Sequence, residues 1–245
     1  EFVIPIGYKG NLVKEFLNLA YPKRNFIFEK INPYEGFGSG LGFTIISCKK
    51  HLQEPFIFHS CDTLIKEDIP NPSFNWMGYS GNKIQNLDSY RTLFIKNRKV
   101  LSICEKGAKY NINNYPYIGL SGIFSYLDFW ENMLKGKEKA INTGEVYGFN
   151  NLIPSIVAEY FTWNDTGQKD NLKKARIEYE LKDSPNILEK EDESIWFTSN
   201  NIVIKYSNNK NFISNRVKRS EILNQYVPKI IGNSNSMYSY KLVEG

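Results

Sequence analysis

EGFGSGLGFTIISCKKHLQEPFIFHSCDTLI, residues 35–65, is the stretch whose reading decides the fold. Gly36, Gly38, Gly40 and Gly42 alternate through its first part, a spacing that lets backbone N–H groups come close to a ligand with a helix N-terminus behind them. From Leu41 the apolar residues Leu41, Ile45, Ile46 and Leu52 follow a helical period, and Lys49 and Lys50 place cations near the helix end. Glu54 and Pro55 break the helix. Phe56, Ile57 and Phe58 form an uninterrupted β-prone run, which predicts a central, buried strand. His59, Ser60 and Cys61 then carry the chain to Asp62. Ligands of open α/β sheets bind beyond the carboxyl ends of strands, so Asp62 is the first candidate functional residue.

On the N-terminal side, Phe2 to Ile6 reads as a strand and Gly7 to Gly10 as a turn. Asn11 is placed to cap a helix with Val13, Phe16 and Leu17 on one face, and Phe26, Ile27 and Phe28 make the next strand. Strands alternating with helices need crossover connections. The expected class is therefore α/β, with a Rossmann-like, mostly parallel sheet. Further on, Trp76 to Tyr79 starts a strand, and runs at 90–95 and 99–104 flank Lys96, Asn97 and Arg98 as a hairpin. Residues 116–124 read as a strand holding Gly119. Residues 124–134 read as a helix with Leu127, Trp130, Met133 and Leu134 turned inward.

The bulk properties bound the function. With 245 residues, 41% hydrophobic and 23% charged, the chain is long enough for a full core and has an ordinary globular composition. No apolar run approaches the roughly 18 residues that span a bilayer, so no membrane span is expected. Three cysteines without framework spacing fit a reducing, cytoplasmic setting. A net charge of +5 suits anionic nucleotides, but no basic stripe of the kind that binds nucleic acid is visible.

Glu35, the segment Gly38-Ser39-Gly40-Leu41-Gly42 and the strand end Phe58-His59-Ser60-Cys61-Asp62-Thr63 together resemble the middle of a sugar-phosphate-type nucleotidyltransferase. Ser39 stands for the usual Thr and Cys61 for the usual Gly. The resemblance implies a GT-A-like fold, an NTP and a phosphorylated sugar or small alcohol as substrates, and release of pyrophosphate. It also implies that Glu35, Gly38 and Gly40 bind substrate. Glu105 and Lys106, at the end of the 99–104 strand, match the family's Glu-Lys that meets the phosphorylated substrate, where a flexible ammonium is well suited. Gly119 matches a glycine against which that substrate lies. The segment Phe161-Thr162-Trp163-Asn164-Asp165-Thr166-Gly167 resembles the family's aromatic–x–Asp–x–Gly segment, and its Asp joins the strand-end Asp on Mg²⁺. Asp62 and Asp165 are thus the implied catalytic metal ligands, in keeping with the oxygen ligands Mg²⁺ takes.

The resemblance also calls for a first strand and a Gly-rich, Arg-containing loop that grips the triphosphate, and nothing before Phe2 matches them. The expectation is a fragment with impaired activity, whose unpaired sheet edge invites self-association as a homo-oligomer. Residues 1–172 form the expected nucleotidyltransferase-like domain, 173–193 a connection, and 194–245 a small α+β appendage. The appendage resembles the small lobe of aminoglycoside/choline-kinase-like phosphotransferases, with Lys205 as phosphate contact and Glu221 as its helix partner. The implied setting is surface polysaccharide assembly, such as that of a capsule. Two alternatives stand beside this: a nucleotide-sugar-dependent glycosyltransferase, and a non-catalytic remnant that binds nucleotide or a partner. Cys48, His51, His59 and Cys61 carry zinc-ligating atoms, but a buried thiol and a hydrogen-bonded histidine explain them equally without the usual paired spacing.

Overall fold

The structure, a computed structural model, describes residues 1–81, 87–109, 111–179 and 190–243. In chain order the elements are β1 (Phe2–Ile6), α1 (Gly10–Ala20), β2 (Phe26–Lys30), α2 (Leu41–Cys48), β3 (Phe56–His59), β4 (Thr63–Ile65) and β5 (Trp76–Tyr79). There follow β6 (Thr92–Lys96), β7 (Lys99–Cys104), β8 (Asn114–Ile123), α3 (Tyr126–Gly136), α4 (Glu138–Thr143), β9 (Val157–Tyr160), β10 (Trp163–Asp165) and α5 (Lys169–Glu178). The last elements are β11 (Glu193–Phe197), β12 (Ile202–Ser207), α6 (Lys210–Leu223), β13 (Ile230–Asn233) and β14 (Met237–Lys241).

The chain divides into two compact units. One is Glu35–Glu180; the other joins Glu1–Tyr34 to Leu181–Gly245. The expected domain of residues 1–172 therefore crosses a unit boundary, because α1 belongs with the C-terminal sheet. Leu12, Phe16 and Leu19 of α1 pack with Ile202, Ile204 and Met237, and Phe16 meets Trp196 edge-on at 5.1 Å. Val13, expected on the buried face, is exposed. Asn11 lies inside the helix; Lys9, with φ 52°, occupies the capping position. Within this unit β1 and β2 pair in parallel, and β11, β12, β14 and β13 form a four-stranded antiparallel sheet, with α6 making up the α+β part. Residues 180–189 of the expected 173–193 connection lie outside the described residues.

The unit Glu35–Glu180 is built on a six-stranded sheet in the order β3-β8-β5-β9-β7-β6. The molecule is α/β with parallel pairs, at β1–β2 and β5–β9. The other pairings of the six-stranded sheet are antiparallel, so it is mixed rather than mostly parallel. The cause is local. Asn97 and Arg98 both adopt positive φ, which closes a tight β6–β7 hairpin in place of a crossover. The first half of the long β8 also pairs with β6, while its second half pairs with β3 and β5.

β3 is an edge strand of this sheet, not the central strand its apolar run predicts. Phe56 is buried and stacks on Trp130 at 5.5 Å, whereas Ile57 is 37% exposed. On α3 the inward residues are Phe129, Trp130 and Met133; Leu127 and Leu134, also expected in the core, face solvent. A helical stripe one residue out of phase exchanges a large aromatic for two leucines, and Phe129 is fixed there by rings on both sides, Phe56 and Phe149.

Candidate active site

The site begins with a bulge. Gly119, in the middle of β8, has φ +71°, and the register between β5 and β8 shifts around it. The bulge turns out carbonyls that the β3–β4 turn captures: Ser60 N–H donates to the Gly119 carbonyl at 2.8 Å, and the Thr63 hydroxyl donates to that of Ile118. A Cβ on residue 119 would lie 2.8 Å from the Ser60 Cβ, so only glycine lets the turn seat here. The space over Gly119 is filled by Ser60, and the glycine acts on the site by holding the turn that presents Asp62.

A second strand pair brings the other acid. β10 runs antiparallel to β4, with Asp165 opposite Thr63. Thr166 locks the pair by donating both its N–H (2.8 Å) and its hydroxyl (2.9 Å) to the Asp62 carbonyl. An added Cβ on Gly167 would stand 3.1 Å from Asp165 Oδ1 and 3.1 Å from Asp62 Oδ2. The two carboxylates thus face one point, and their oxygens cannot be farther apart than twice that distance. Their outer oxygens are held: Asp62 Oδ1 accepts from the Ser60 hydroxyl, and Asp165 Oδ2 accepts from the Tyr90 hydroxyl at 2.7 Å. Asp165 Oδ1 also accepts the Gly167 N–H at 2.8 Å.

Among the described residues neither carboxylate has a lysine or arginine partner. The electrostatic consequence is visible at Tyr90. Its phenol is pushed up to about 12, first by burial, then by the hydrogen bond to Asp165 and the negative charges of Asp165 and Asp62. Two anchored carboxylates facing one point fit a small, hard cation that takes oxygen ligands. Among the described residues no third His, Cys, Asp or Glu completes a protein-only metal cage. Such a cation would draw its other ligands from water or a substrate phosphate.

Glu105 and Lys106 follow β7 and are both exposed. Glu105 accepts from Arg91 Nε at 2.9 Å, and Arg91 is the neighbour of Tyr90, so the strand end stands one residue away from the group that holds Asp165. The glycine-rich turn behaves differently along its length. Gly36 and Gly38 adopt positive φ with open space around them, and Glu35 beside them is exposed. Gly40 and Gly42 abut α4: a Cβ would lie 2.9 Å from the Ile141 carbonyl oxygen at Gly40 and 2.0 Å from that of Ala140 at Gly42. Those two glycines serve helix packing.

In the other unit, Lys205 lies 3.8 Å from Glu193 on the neighbouring strand β11 and over the ring of Phe212. Glu221, its expected partner, is exposed on α6. His59 Nε2 is hydrogen-bonded to the Thr63 carbonyl at 3.0 Å, Cys48 is buried and Cys61 is exposed.

Neither a family model nor a curated protein sequence matches the chain. Solved structures do match. A glucose-1-phosphate thymidylyltransferase assigned in Bacillus anthracis, solved with sucrose, superposes with a TM-score of 0.59 at 16% identity, covering 76% of this chain and 78% of that one. An apo UDP-glucose pyrophosphorylase gives 0.59 at 15% identity over 73% of this chain and 81% of its own. The inositol-1-phosphate CTP transferase of T. maritima gives 0.52 at 13% identity over 72% and 73%. At such identities the likeness is one of architecture, and the chain has the fold these nucleotidyltransferases and pyrophosphorylases share.

Proposed function

We propose that the chain is a nucleotidyltransferase that joins an NTP to a phosphorylated sugar or small alcohol and releases pyrophosphate. The observation that carries this reading is the convergence of Asp62 and Asp165, anchored and, among the described residues, without a cationic partner, beyond the ends of β3 and β9 in a fold shared with such enzymes. In the reaction a phosphate oxygen of the acceptor attacks the α-phosphorus of the NTP, and the bond to pyrophosphate breaks. Mg²⁺ held by the two carboxylates would neutralise charge on that α-phosphate. Tyr90 and Ser60 keep the carboxylates turned toward the shared point. Lys106 supplies a positive charge for the acceptor phosphate, with Glu105 and the exposed turn at Glu35 and Gly38 contributing to substrate binding, while Gly40 packs on α4. The reading extends to a cytoplasmic role in surface polysaccharide precursor synthesis. A kinase-like role for residues 194–245 draws no support from Lys205, whose acidic neighbour is Glu193 rather than Glu221.

Nucleotidyl transfer depends on positioning and charge stabilisation, which the two carboxylates and Lys106 would supply. The test is Mg²⁺-dependent pyrophosphate release by the protein, with each NTP and a panel of sugar and alcohol phosphates. In an active protein, Asp62→Asn is expected to lower kcat by roughly 100-fold or more, the scale of losing one charge-stabilising group. Lys106→Ala is expected to raise KM for the phosphorylated acceptor far more than for the NTP. Equal losses would make Lys106 structural, and an unaffected Asp62→Asn variant would end the proposal.

A further inference from the structure

A concave pocket of about 220 Å³ lies between α6 and the strands β13 and β14, within the unit that joins the two chain ends. Arg216 and Arg219 form one wall. Three residues apart on α6, their side chains rise from neighbouring positions on the helix surface. Tyr238 and Tyr240 form another wall; as alternate residues of β14 they point to the same face, and their rings stack at 6.2 Å with 27° between planes. Val227, Pro228 and Ile230 make the apolar part, and Ser220 completes the lining.

The polar inventory of this pocket is one-sided. Its charged residues are both arginines, and among the described residues neither arginine has a carboxylate partner. Arg216 lies against the ring of Phe212, which holds its guanidinium plane without neutralising it. The acid whose charge acts on Tyr238 is Glu193, which is already shared by Lys190 at 3.4 Å and Lys205 at 3.8 Å. Glu221, two positions beyond Arg219, projects from a different side of the helix. Burial raises both tyrosine phenols above their ordinary range, so they remain neutral hydroxyl groups at physiological pH. Two arginines and two tyrosines thus line one cavity, together with Ser220 and its hydroxyl.

A ligand matching this wall has several acceptor oxygens, negative charge and a small apolar or planar part. A phosphoryl group fits best, because its oxygens match guanidinium forks bidentately. The volume sits below the roughly 300 Å³ at which pockets for drug-sized ligands begin, which favours a small phosphomonoester over a dinucleotide. We propose that the α6–β13–β14 pocket is a binding site for the phosphoryl group of a small phosphomonoester, separate from the carboxylate site around Asp62 and independent of the function proposed for it.

The test uses the 245-residue protein and isothermal titration with three probes: inorganic phosphate, glycerol 3-phosphate and acetate. Saturable binding of glycerol 3-phosphate, tighter than inorganic phosphate and with no acetate binding at the same concentration, is the expected result. The double variant Arg216→Gln/Arg219→Gln should weaken it by tenfold or more, while Lys218→Gln, on the same helix outside the pocket, should leave it within twofold. Tyr238→Phe keeps the ring and should weaken binding by a smaller factor, which reports on the pocket even if the double variant fails to fold. Absence of saturable binding overturns the proposal, as does acetate binding as well as the phosphates. Equal weakening by Lys218→Gln also overturns it, since that reports bulk charge and not a site.

Discussion

Tyr90 holds Asp165 in place, and no spacing rule in the sequence points to it. Asp62 is singled out in the sequence by its place beyond the Phe56–Phe58 run, and Asp165 by the resemblance of residues 161–167 to a nucleotidyltransferase segment. Tyr90 sits among other aromatic residues, and only the folded chain brings its hydroxyl to Asp165 Oδ2. The same contact makes it a reporter. With its folded pKa raised to about 12, the protonated phenol favours the folded state at pH below 10, and this contribution is lost as pH rises from 10 through about 12. Burial is the largest cause, so Asp165→Asn should lower the Tyr90 titration only partway toward 10. Carbon NMR of labelled tyrosine follows this titration. A Tyr90 titration unmoved in Asp165→Asn would show that the Asp165 carboxylate does not act on the phenol.

At the scale of elements, the glycine-rich turn and helix that open the 35–65 stretch are where the sequence predicts them, but half of the glycines have another purpose. Alternation in the sequence cannot distinguish a backbone kept bare for a ligand from one kept bare for a neighbouring helix. Gly42 is of the second kind, since its Cβ position is 2.0 Å from the Ala140 carbonyl oxygen. Gly42→Ala gains about 1 kcal/mol in helix propensity. It must also push α4 away, and overpacking of that kind costs about 1–3 kcal/mol and occasionally more. The clash is with backbone and cannot be relieved by a rotamer, so the larger cost should win by about 2 kcal/mol. Gly36, with φ +84° and open surroundings, should lose only about 1 kcal/mol on change to Ala, from left-handed backbone strain. Denaturant unfolding of the two variants checks the order; a Gly36→Ala variant less stable than Gly42→Ala would reverse this account of the turn. β3 teaches a similar lesson. An uninterrupted apolar run signals burial on both faces, yet only Phe56 of the three is buried, because the strand lies at the sheet edge.

At the scale of the whole molecule, the sequence is read in chain order while α1 finds its partners near the other terminus. Nothing local marks this. The apolar positions of α1 admit two neighbouring faces, and only the presence of Ile202, Ile204 and Met237 selects Leu12, Phe16 and Leu19 over Val13. If contact defines energetic units, Phe16→Ala should weaken one unit and spare the other. Removing a largely packed aromatic costs about 3–5 kcal/mol when fully buried, and Phe16 is partly buried, so a loss of about 2–3 kcal/mol is expected. Tryptophan placement makes the effect separable: Trp196 lies in the unit with Phe16, while Trp76, Trp130 and Trp163 all lie in Glu35–Glu180. Fluorine NMR of fluorotryptophan-labelled protein in rising urea reads the four positions at once. The Trp196 transition should move to lower urea in Phe16→Ala, with the other three unchanged. A common shift of all four would mean that the chain unfolds as one cooperative body, and that the two clusters of contacts are not separate units of stability.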